Sequence, residues 1–147
     1  MHRTCWFIAA LLGLSTLIAC SRPAPPSGRW QGSYESADVM VVARLEIDPH
    51  GEIFLSAPDL TGIAATPSDS RGDLRSTLVE TLDSDWAGAQ PRRFDFDGHT
   101  FRKPGGLAPQ LEWDGSNMTA VIYLGLRPSI RVPLHAVASF DDNLWNG

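Results

Sequence analysis

The segment Asp95-Phe96-Asp97-Gly98-His99 puts two carboxylates and an imidazole within five residues. Alternate residues of a strand share a face. Asp95 and Asp97 would therefore point one way, and His99, just past the turn, could join them around a divalent cation. The same trio could serve a metal-dependent hydrolase, with a carboxylate or the imidazole moving a proton. A hairpin accounts for the same residues without chemistry. Asp97-Gly98 is the pair that a tight turn favours, and Asp95 is the solvent side of a Phe-Asp-Phe-Asp alternation. Thr100 and Phe101, which follow, do not bring the further oxygen ligands of a calcium loop. His50 lies in a turn and His135 on the outward face of the last strand, neither at a spacing that supplies a carboxylate partner. Arg92-Arg93 and Arg102-Lys103 flank the same hairpin as a solvated rim, or alternatively as a basic strip for anionic headgroups or cell-wall polymer.

A nucleophile elbow, a phosphate loop, a zinc-protease helix and paired Cys-x-x-Cys motifs are all absent from the sequence. The 147 residues carry 12 basic and 17 acidic side chains, a net charge of −5, and a single lysine, Lys103. That charge balance argues against nucleic acid as a partner, because phosphate binding needs clustered Lys and Arg. Length and a hydrophobic share of 43% fit one ordinary domain. The residues thus imply no cofactor and no enzyme, and the remaining candidates are binding groups. Trp30 and Trp113 are the indoles placed to line a pocket for a sugar ring or a lipophilic ligand. Trp86 closes a leucine stripe and reads as packing.

The chain opens with His2 and Arg3, runs uncharged from Cys5 to Ala19, and reaches Cys20-Ser21-Arg22. This is the layout of a secretory signal peptide, too short for the roughly 20 apolar residues of a stable span. Its end, Leu17-Ile18-Ala19-Cys20, resembles the lipobox of bacterial lipoproteins. The resemblance implies cleavage before Cys20, acylation of that cysteine, and a membrane anchor of two or three chains. Ser21 rather than Asp in the next position implies, in a Gram-negative cell, the outer membrane facing the periplasm. Residues 1–19 are then the signal, 20–27 a lipidated cysteine with a stiff proline-rich tether, and 28–147 one globular domain. With Cys5 discarded and Cys20 lipidated, that domain has no thiol and no disulfide.

Period-two alternation from Val39 to Asp48, the turn Asp48-Pro49-His50-Gly51, and renewed alternation through Ile53, Leu55 and Ala57 predict a hairpin over 39–57. Leu74, Leu78, Leu82 and Trp86 predict a helix over about 70–86, capped by Asp69 or Ser70 and ended by Gly88 and Pro91. Strands are expected over 29–35, 93–96, 99–103, 110–114, 118–124 and 129–139, with Pro133 at an edge or bulge. The tail from Asp141 to Gly147 reads as loosely attached. The class is α+β: an antiparallel meander of about 7–8 strands, curled or partly barrel-like, with one helix packed on it. Gly28-Arg29-Trp30 resembles the Gly-x-Trp that opens lipocalin-like barrels. There the Trp closes the barrel floor against a late arginine, a part that would fall to Arg127 or Arg131, although lipocalins place their helix after the strands.

Three functions follow from this reading. The first is an envelope-anchored, non-catalytic interaction or structural module, with an envelope protein as partner and an exposed apolar patch bearing Met40 and Val42. The second is a carrier of a small hydrophobic or carbohydrate ligand, with a cavity reaching Trp30 or Trp113. The third is a hydrolase around Asp95, Asp97 and His99. Oligomeric state leaves no mark in the sequence.

Overall fold

A computed structural model describes residues 22–145, so Cys20 and the whole lipobox lie outside the described residues. Nine strands and one helix follow in chain order: β1 (Gly28–Glu35), β2 (Val39–Ile47), β3 (Ile53–Ser56), β4 (Asp59–Thr61), α1 (Arg71–Ala87), β5 (Asp95–Phe96), β6 (Thr100–Arg102), β7 (Pro109–Trp113), β8 (Met118–Ile122) and β9 (Ile130–Val137). The sheet runs β3-β2-β1-β9-β8-β7-β6-β5, antiparallel throughout, and curls into a half-barrel. The fold is α+β, and α1 connects the two edge strands, β3 and β5. One bridge, in which the Arg92 amide donates to the Ile53 carbonyl at 2.7 Å, draws those edges together.

β2 explains the layering. Its odd positions, Val41, Ala43, Leu45 and Ile47, face the barrel interior with Trp30, Phe101, Leu111, Met118 and Val132. Its even positions, Met40 and Val42, lie under α1 with Leu78, Leu82, Ile63 and Leu144. Alternation sets which residues share a face, while burial of the second face comes from the helix laid over it. The expected exposed patch at Met40 and Val42 is therefore corrected: both side chains are fully buried. Pro58 interrupts β3, and the chain resumes against the far half of β2 as β4, a strand too short and too close to a proline to show in the pattern.

The tail is likewise corrected. Leu144 is 1% exposed. The Gln31 amide donates to the Asp141 carboxylate at 2.6 Å, the Asp141 amide donates back to Gln31 Oε1, and the Ser33 hydroxyl donates to the Leu144 carbonyl. Residues 141–145 thus close the outer face of β1 and β2 beside α1. Ser70 occupies the position before the helix as expected, but its side chain makes no capping bond. Arg71 fastens that end instead, reaching the carbonyls of Ser36 and Ala37 and the Glu35 carboxylate.

Register divides the half-barrel into two ends. The entry end holds Gly28, the turn at residues 48–51, the turn at 97–99, the turn at 114–117 and the end of β9. The open end holds the connections at 36–38, 103–108 and 123–129. The tether does not leave the domain freely. Pro25 and Pro26 are half-buried, and side chains built at Gly51 and Gly98 would touch the rings of Pro25 and Pro23. Residues 23–26 therefore lie along the entry end.

Candidate functional site

β1 and β9 pair only over Arg29↔Val137, Trp30↔Ala136 and Gln31↔His135. Carrying that register forward sets Ser33 opposite Pro133, which has no N–H to donate, and the ladder stops. Gly32 allows the last close approach, since a methyl there would lie 2.1 Å from the Pro133 carbonyl oxygen. Gly32→Ala is expected to cost about 1–3 kcal/mol by overpacking at this seam, read as a lower urea midpoint with an unchanged slope.

Beyond the seam the strands part and leave a concavity of about 570 Å³ at the open end. Tyr34 and Val39 line one wall, Leu124 and Ile130 the other, and Arg127 stands at its edge, whereas the Arg131 guanidinium turns to Glu112 in a neighbouring hollow. Among the described residues no carboxylate lines it. The size falls in the range of small-molecule sites. Leu107, Leu126 and Tyr123 lie in the loops at this end, the two leucines at 92% and 108% exposure. The Tyr123 hydroxyl donates to the Pro109 carbonyl at 2.8 Å and ties the two loops together. Arg127 pairs with Asp38, and Arg131 with Glu112, carboxylates that stand outside the concavity.

The aromatic pair singled out in the sequence lies at the other end. Trp30 is 5% exposed and meets Trp113 edge to face, with ring centroids 6.2 Å apart. Trp30 thus forms the floor of the packed interior, and the 570 Å³ concavity does not reach it. Trp113 contributes to a smaller hollow of about 390 Å³ with His99, Glu112 and Arg131. The guanidinium-on-ring contacts among the described residues are Arg44 over Phe140 and Arg75 over Trp145, so neither Arg127 nor Arg131 takes the floor-closing part that the Gly-x-Trp resemblance implies. Trp86 packs edge to face on Phe140 at 4.8 Å, as the leucine stripe suggested.

The Asp95, Asp97, His99 trio resolves into turn chemistry. Asp97 accepts from the backbone N–H groups of His99 and Thr100, from the Thr100 hydroxyl, and from Arg102. Its oxygens are committed, and Asp95 sits opposite Arg102 across the hairpin. Among the described residues no three His, Cys, Asp or Glu side chains gather to hold a metal ion. Because Arg102 is paired with Asp97, the basic strip keeps Arg92, Arg93 and Lys103 as its exposed cations. His50 and His135 are both exposed.

Four carboxyls are held below the usual range. The Thr100 hydroxyl and then Arg102 lower Asp97, Arg127 lowers Asp38, the Asn117 amide lowers Asp114, and the Gln31 amide lowers Asp141. The unfolded chain therefore binds more protons than the native one in acid, and the stability these groups give is complete above the unfolded value of about 3.9 and lost as pH falls through the lower folded values. The melting temperature is expected to decline below about pH 4, and Asp38→Asn with Asp97→Asn should flatten that decline. An unchanged acid limb in the double variant would contradict the assignment.

No known protein family, curated protein or solved structure matches this chain. The fold and the concavity define an α+β half-barrel with a filled interior and an open-end notch, and the functional reading rests on that geometry.

Proposed function

We propose that the protein is an envelope-anchored, non-catalytic binding module that holds a small hydrophobic ligand in its open-end notch. The observation that supports this reading is the 570 Å³ concavity of Tyr34, Val39, Leu124 and Ile130 at the open end, where the loops also carry exposed Leu107 and Leu126. Apolar surface left open in this way is characteristic of binding sites. Acylation at Cys20, eight residues before Gly28, would hold the entry end toward the membrane and turn the notch away from it. With Ser21 after that cysteine, the membrane in a Gram-negative cell is the outer one, and the notch opens into the periplasm. Among the described residues no helix is long and apolar enough to cross a membrane. A second reading, contact with an envelope protein, rests on the same exposed leucines.

Two experiments test the proposal. Native mass spectrometry of the protein released from envelopes in a non-ionic detergent should show a small-molecule adduct on the wild type and none on Ile130→Asp. Wild type at the mass of the acylated chain alone would contradict it. Metabolic labelling with radioactive palmitate should mark the wild type and not Cys20→Ala, and label persisting in the variant would remove the anchor.

A further inference from the structure

The notch combines apolar walls with one cation at its edge, Arg127, and among the described residues no lining carboxylate, in a protein whose net charge is −5. We propose that its ligand is a single-chain amphiphile with an anionic head, a carboxylate or a phosphate, and this rests on the binding reading above. The chain lies between Tyr34 and Val39 on one side and Leu124 and Ile130 on the other, where the missing β1–β9 ladder leaves room. The head meets Arg127 at the edge. Asp38 pairs with this guanidinium, which keeps further N–H donors for a ligand. Ser129 lines the same edge and adds a hydroxyl donor for head oxygens.

The barrel interior cannot take this ligand. Leu45, Phe101, Leu111 and Met118 fill it and are all fully buried. Pro133 is thus the residue that relocates binding from the inside of the barrel to a seam in its wall, because a residue with an N–H at that position would let the ladder continue.

The test uses the full chain in phosphatidylcholine nanodiscs, with empty nanodiscs subtracting lipid partitioning, and equilibrium binding of radiolabelled decanoate, decyl phosphate and decanol. Saturable binding of one decanoate or decyl phosphate per chain is expected, with decanol at least tenfold weaker. Arg127→Gln should weaken the anions about fivefold or more while leaving decanol unchanged, Arg131→Gln, which removes a guanidinium that faces Glu112, should change neither, and melting temperatures verify that both variants fold. Equal binding of decanol and decanoate, with no effect of Arg127→Gln, would overturn the anionic head and leave a binding notch. Absence of saturable binding by all three chains would overturn the notch reading as well.

Discussion

Phe101→Ala is expected to destabilise the domain by about 3–5 kcal/mol, the cost of removing a large aromatic ring from a packed core. Phe101 is fully buried in β6, stacks on Phe96 with ring centroids 4.3 Å apart, and sits opposite Leu111 of β7. β5 and β6 are only two and three residues long, so this ring supplies much of what fixes the short edge hairpin to the barrel. Urea unfolding followed by tryptophan fluorescence should show the midpoint falling at constant slope. A loss below about 1 kcal/mol would mean that the interior is loosely filled and able to admit ligand. Leu126→Ala is the matching control, because that side chain is fully exposed and its removal should change stability by no more than about 0.5 kcal/mol.

The second large effect belongs to Arg44, whose side chain is 6% exposed on the outer face of β2. Its guanidinium pairs with Asp83 of α1, reaches the Asp141 carbonyl at 3.2 Å and the Asp142 carboxylate at 3.5 Å, and lies over the Phe140 ring. One side chain therefore joins strand, helix and C-terminal tail. Arg44→Ala is expected to cost about 3 kcal/mol, near the lower end of the loss from breaking a buried pair, because Asp83 is half exposed and regains water. Arg44→Met, which keeps the volume and removes the charge, should retain most of the stability. The two variants separate packing from charge: equal losses would assign the stability to the ion pairs, whereas the smaller loss in Met assigns it to the buried stem. Amide exchange across 141–145 should quicken in both, since the Asp141 contact is gone in each.

Patterns within a few residues of one another were legible in the sequence. The faces of β2, the turn at residues 48–51, the stripe Leu74, Leu78, Leu82 and the start of β1 at Gly28 all follow from local period or turn chemistry. Pro133 as a disturbance of the last strand was also readable, and it is the one sequence signal that marks the notch. What covers Met40 and Val42 was not readable, because an outer face alternates in the same way whether a helix lies over it or water does. The attachment of the tail has a related cause: Gln31 and Asp141 are 110 residues apart, and nothing local announces their exchange of hydrogen bonds. The site itself arises where β1 meets β9, the two ends of the domain, so Tyr34, Leu124 and Ile130 share no motif. Conversely, the acid-rich hairpin at Asp95–His99 looked like chemistry because a tight turn and a metal loop draw on the same short polar residues.

The central claim is that ligand enters the β1–β9 notch and not the barrel. It is tested most directly by intermolecular nuclear Overhauser effects between decanoate and a methyl-labelled sample of the chain. Contacts from the alkyl chain to the methyls of Val39, Leu124 and Ile130 are expected. Contacts to Leu45, Leu111 and Met118 instead would place the ligand inside the barrel and contradict it.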